Sequence, residues 1–135
     1  MKTSKPLYSL VAIIALCSLI LVSCSKKDDL SSITQGPVDG NWRVSLYFDN
    51  SDETNKFSGY NFTFNSSGQL TATNGSNTVT GTWTQGSSKF NISFGTTPVF
   101  EDLNDDWLTV EKTSTSIKLK DDNPARNEQL QFIRL

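Results

Sequence analysis

The sequence predicts an all-β protein, a small eight-stranded antiparallel up-and-down β-barrel behind an N-terminal leader and a flexible tether. Three observations carry the prediction. Apolar and polar residues alternate with period two in eight successive segments after residue 38. Most of the connectors are short clusters of Asn, Gly and Ser, the chemistry of tight turns. No long amphipathic helix pattern follows Cys24.

The chain opens with Lys2 and Lys5 and then runs almost wholly apolar from Leu7 to Val22. That run is the length of a secretory h-region and short of the roughly 20 residues of a spanning helix. A spanning anchor is the alternative, but the charged flank Ser25–Asp29 does not suit a simple stop-transfer signal. Residues 1–23 are therefore expected to be a signal peptide. Residues 24–37 are polar, contain Gly36 and Pro37 and show no sustained period, so they are expected to form a tether. Residues 38–135 are expected to form one small domain.

The strands follow in order. In NWRVSLYF, Trp42, Val44, Leu46 and Phe48 share one face. In YNFTF it is Tyr60, Phe62 and Phe64; in QLTAT, Leu70 and Ala72; in TVTGTWTQ, Val79, Gly81 and Trp83. KFNISF aligns Phe90, Ile92 and Phe94. DWLTVEK is less regular, with Trp107 on one face and Leu108 and Val110 on the other. SIKLK aligns Ile117 and Leu119, and QLQFIRL aligns Leu130 and Phe132. Two connectors are longer, Asp49–Gly59 and Gly95–Asp105, and the second has room for a helical turn capped by Thr97 with Pro98 first in the helix. Closing eight hairpin-linked strands into a barrel removes exposed edges; a two-sheet sandwich is the alternative and generally needs longer crossovers.

Composition excludes several chemistries. There is no histidine, so Ser-His-Asp and Cys-His pairs are excluded, and no glycine-rich phosphate loop is present. The net charge of −2 and the lack of a basic stripe argue against nucleic acid. The carboxylates remain. Asp102, Asn104 and Asp106 have the D-x-N-x-D spacing of a calcium loop, but Trp107 stands where an EF-hand needs glycine and Thr113 where it needs glutamate. No metal or cofactor is expected, and no enzymatic activity.

Leu21, Val22, Ser23 and Cys24 resemble the lipobox of bacterial lipoproteins. The resemblance implies cleavage before Cys24, lipid on its thiol and a membrane partner held through that lipid; Cys17 would leave with the signal. Lys27, Asp28 and Asp29 are similar to the export tag of surface lipoproteins in Bacteroidetes, which implies an outer-membrane protein at the cell surface. Gly40, Asn41 and Trp42 opening the first strand, with Arg134 ending the last, resemble the lipocalin-like, or calycin, pattern. There a tryptophan at the closed end of the barrel lies under an arginine.

That resemblance implies a binding module with a small apolar or amphipathic ligand at the end opposite Trp42. The connectors Asp49–Gly59, Asn74–Asn77, Gly95–Asp105 and Asp121–Asn127 should share that rim. Phe48, Phe57, Val99 and Phe100 are the residues expected to line the pocket. The alternative is an interaction protein with a filled barrel, whose loops bind an envelope protein or a glycan. A monomer is expected in either case.

Overall fold

The computed structural model describes residues 38–135; the signal peptide, the lipobox with Cys24 and the tether lie outside the described residues. Nine strands form one sheet: β1 Gly40–Asp49, β2 Ser51–Asp52, β3 Asn61–Phe64, β4 Gln69–Asn74, β5 Asn77–Gln85, β6 Lys89–Ser93, β7 Asp105–Lys112, β8 Ser116–Lys120 and β9 Glu128–Arg134. Every pairing is antiparallel. β1 pairs with β3 on one side and β9 on the other, which closes an eight-stranded barrel, while β2 is a two-residue hairpin added to the end of β1.

The alternation of the sequence decides the faces. Phe62 and Phe64 on β3, Leu70 and Ala72 on β4, Phe90 and Ile92 on β6, Ile117 and Leu119 on β8, and Leu130 and Phe132 on β9 are all buried in one core. The aromatic rings meet edge to face: Phe62 and Phe132 at 5.3 Å, Phe64 and Phe132 at 5.4 Å, Phe64 and Phe90 at 5.6 Å. Gly81 is the small residue that lets β5 approach β6. A methyl group there would meet the Ser93 carbonyl oxygen and come within 2.7 Å of the Phe94 ring.

Two β-bulges break the expected alternation. In β1, Val44 pairs with Phe132 but Leu46 with Gln131, so Ser45 is an extra residue. Beyond it the faces exchange: Tyr47 is buried, and Leu46 and Phe48 turn to the outer face, opposite Gln131 and Gln129. The expectation that Leu46 and Phe48 face inward is thus corrected, because a one-residue slip reverses every later side chain. In β7 the same occurs at Val110, left 56% exposed between Thr109 and Glu111, and it carries Lys112 to the inner face opposite Ile117. The expected helical turn also moves: a 3-10 turn forms at Phe100–Leu103, and Thr97 stands before it, its carbonyl oxygen accepting from the Glu101 amide at 2.9 Å and its hydroxyl donating to the Phe94 carbonyl oxygen at 3.0 Å.

Candidate functional site

The register sets the four connectors Asp49–Gly59, Asn74–Asn77, Gly95–Asp105 and Asp121–Asn127 at one end of the barrel. The two long ones fold inward. A 3-10 turn at Thr54–Phe57 places Phe57 in the core at 2% exposure, and the turn at Phe100–Leu103 places Phe100 there at 3%. Their rings meet each other at 6.0 Å, and Phe100 also meets Tyr60 and Phe94 at 5.0 Å each. The loops are tied across the mouth. Lys56 pairs with Glu53 and, at 2.8 Å, with Asp102, while the Tyr47 hydroxyl donates to the Asp102 carbonyl oxygen at 3.1 Å. Burial, and then the Asp102 carboxylate, push the Tyr47 phenol above its usual range.

The four residues expected to line a pocket therefore do not share one space. Phe57 and Phe100 fill the mouth, Val99 is 42% exposed at a positive φ of 68°, and Phe48 lies on the outer face. The inward bulk of the strands was legible in the sequence. That the loops would add two more phenylalanines to it was not, since an apolar residue in a connector can equally cover a pocket or fill it.

The other end is closed by Trp42. Its indole nitrogen donates to the Val38 carbonyl oxygen at 2.8 Å, and the Arg134 guanidinium carbon sits 5.2 Å from the centre of its ring. Arg134 donates to the Ser114 carbonyl oxygen at 3.0 Å and to that of Asp39. Gly40 has φ 130° and no side chain, and a Cβ there would meet the guanidinium at 2.7 Å. Near this end Lys112 is 5% exposed and donates to the Gln85 side-chain oxygen; burial pushes its amine below the usual lysine range.

The calcium-like spacing does not converge. Asp102 holds Lys56, Asn104 clamps the Phe94 amide and the Gly95 carbonyl oxygen, and Asp106 holds Lys89 at 3.0 Å. The fold gathers other carboxylates instead. Asp105, Asp121 and Glu128 come within 4.8 Å of one another at the rim, a group drawn from three separate stretches of chain. Arg126 lies over it, 3.3 Å from Asp121 and 3.7 Å from Glu128. Asp105 and Glu128 are held above the usual carboxylate range, first of all by burial. Arg126 pairs with Asp121 and Glu128, so these two residues read as a structural clamp on the β8–β9 connector.

A concavity lies outside the barrel. It measures about 530 Å³ and crosses the outer face of β7, β8 and β9 under the β8–β9 connector, lined by Leu108, Val110, Lys118, Lys120, Pro124 and Gln129 among others. A second, of about 390 Å³, lies beside Trp83 and Val38 at the closed end.

No protein-family model and no curated protein matches the chain. Among solved structures it is similar to the crystal structure of a DUF4847 family protein from Bacteroides vulgatus, with a TM-score of 0.55 and 19% sequence identity over 72% of this chain and 93% of that one. That likeness supports the small barrel fold.

Proposed function

We propose that this chain is a lipid-anchored envelope protein, displayed at the outer membrane, whose barrel is filled and whose outer surface meets a partner. One observation carries the choice against a ligand carrier: both long rim connectors send a phenylalanine into the core, Phe57 at 2% and Phe100 at 3% exposure. An eight-stranded barrel is just wide enough to be filled by side chains or to hold one small ligand. Here the side chains take that width, and the aromatic contacts run unbroken from Phe57 through Phe62 and Phe132 to Phe64 and Trp83. The placement of Gly40, Trp42 and Arg134 supports a lipocalin-like architecture, with its ligand space given up to packing.

The anchor rests on the lipobox-like Leu21–Cys24 and the surface location on Lys27, Asp28 and Asp29. Two or more acyl chains on Cys24 would make the attachment stable. The module is a binding protein and not an enzyme: the absence of histidine removes the common bases, and the rim carboxylates Asp102, Asp106 and Asp121 are each engaged by a cation.

The test has three arms. Cys24→Ser should move the protein out of the membrane fraction; unchanged fractionation would defeat the anchor. Tryptophan-fluorescence titration with fatty acids, haem and aromatic probes should show no saturable binding to the folded wild type. Saturable binding that Phe57→Ala or Phe100→Ala alters would restore the ligand-carrier reading. A photo-crosslinking residue at Val110 in cells should give a discrete adduct, and one at Thr80 should not.

A further inference from the structure

We infer that the closed end of the barrel, at Trp42 and Arg134, is the surface that meets the membrane, and that its partner there is the phosphate-bearing face of an anionic bilayer. This rests on the lipid anchor proposed above and adds which side of the domain the bilayer meets. Two independent observations point the same way: where the chain enters the barrel, and how charge is divided between the two ends.

The entry point is fixed. Val38 is 2% exposed, its carbonyl oxygen accepts from the Trp42 indole at 2.8 Å, and the next carbonyl, that of Asp39, accepts from Arg134. The chain that comes from Cys24 therefore joins the barrel at its closed end. Residues 24–37 lie between. Fully extended they would reach at most about 50 Å, which allows either end of the barrel to face the lipid. The 10 residues of β1, rising about 3.3 Å each and tilted by about 40°, set the rim roughly 25 Å from the closed end. Charge decides which end lies down.

The rim is acidic. Asp39 and Glu111 are the only carboxylate side chains of residues 38–135 outside the stretches 49–59, 95–106 and 121–128. Those stretches are rim connectors with their flanking strand ends. Lys56, Lys89 and Arg126 answer part of their charge, but Asp49, Asp52, Glu101 and Asp105 make no ion pair among the described residues. The closed end differs. Its connectors Asn65–Gly68, Gln85–Ser88 and Lys112–Thr115 hold amides, hydroxyls and glycines, a buried lysine and no carboxylate. Near it, Glu111 takes Lys118 at 3.1 Å, which leaves Arg43 and Arg134 against Asp39. Arg43 is exposed and makes no ion pair among the described residues. A guanidinium suits a lipid phosphate.

Salt screens charge over about 10 Å. With the closed end down, the rim carboxylates stand beyond that distance from the bilayer. With the rim down, they face phosphates of their own sign. Exposed apolar side chains do not outweigh this. Val99 is 42% exposed on the rim but stands close to Glu101 and Asp102, and Leu135, 61% exposed, follows Arg134 at the closed end. Held this way up, the rim loops are the part of the domain farthest from the bilayer.

The experiment uses the lipidated chain, purified from membranes and placed in phosphatidylcholine vesicles that contain phosphatidylglycerol and a lipid spin-labelled on its headgroup. A bimane label is carried at Ser87→Cys on the closed end or at Ser76→Cys on the rim, both exposed positions. The label at position 87 should be quenched several-fold more than the label at position 76. The difference should shrink as salt rises and when phosphatidylglycerol is left out. Asp52→Lys with Glu101→Lys should raise quenching at position 76, and Arg43→Glu should lower it at position 87. Near-ultraviolet circular dichroism checks the fold, and Asp52→Asn, Glu101→Gln and Arg43→Gln replace any variant that fails it. Equal quenching at both positions, stronger quenching at position 76, or a difference indifferent to salt and to these substitutions overturns the inference and leaves the anchor standing. A chain that does not sediment with the vesicles overturns the anchor and this inference together.

Discussion

Phe57 and Phe100, 43 positions apart in the chain, meet ring to ring at 6.0 Å and 66° over the mouth of the barrel. Each comes from a 3-10 turn in a long connector, and each is nearly as buried as the strand residues beneath it. The contact makes the connectors part of the core.

The first expected outcome concerns these two rings. Phe57→Ala and Phe100→Ala should each cost about 3–5 kcal/mol, the usual range for truncating a buried aromatic. For a small domain with a total of about 5–15 kcal/mol that is a severe loss. Urea denaturation measures it. A mobile lid would instead give substitutions near neutral, since its opening would already expose the rings.

At the other end, Trp42→Ala should cost a similar ~3–5 kcal/mol, and Arg134→Ala about 1 kcal/mol, because the guanidinium is exposed. Arg134→Lys should not restore the loss. A lysine lacks the planar fork that stacks on the indole while donating to the Asp39 and Ser114 carbonyl oxygens. Equal midpoints for the Lys and wild-type proteins would show that charge alone acts there.

Gly81→Ala tests the β5–β6 approach. The added methyl would press on the Ser93 carbonyl oxygen and the Phe94 ring, and a strand backbone held by its ladder cannot move aside cheaply. A loss of about 1–3 kcal/mol is expected, the cost of overpacking. Gly86→Ala, with open space around it, is the control and should be close to neutral.

Tyr47 and Lys112 give opposite pH dependences. The folded Tyr47 phenol titrates above its ordinary value of 10.0, so above that pH the unfolded chain binds fewer protons and stability falls. The folded Lys112 amine titrates below its ordinary value of 10.5. Between its lowered folded value and 10.5 the unfolded chain binds more protons, so this contribution rises with pH. Denaturation midpoints across the alkaline range separate the two. Tyr47→Phe should flatten the fall above pH 10, and Lys112→Met should stabilise at neutral pH and abolish the rise. A wild-type curve unchanged by either substitution would show that neither group is perturbed.

The strands themselves were readable from the sequence, because alternation is local: Phe62 and Phe64, Ile117 and Leu119, and Leu130 and Phe132 announce their inner face by spacing alone. The antiparallel order followed from the short connectors, and the shared rim of the four loops from that order. What lay beyond the sequence was set by pairing partners and by interior volume. No glycine marks the bulges at Ser45 and Val110. They exist because β1 must register with β9, and β7 with β8, and only that register sends Tyr47 and Lys112 inward and Leu46 and Phe48 outward. The fate of Phe57 and Phe100 was likewise a question of space, which a pattern along one chain does not record. Asp105, Asp121 and Glu128 come together where the ends of the neighbouring strands β7, β8 and β9 meet at the rim, a convergence that spacing along the chain does not show. Period two is a property of a strand; the side of the barrel wall on which a residue finally stands is a property of its neighbours.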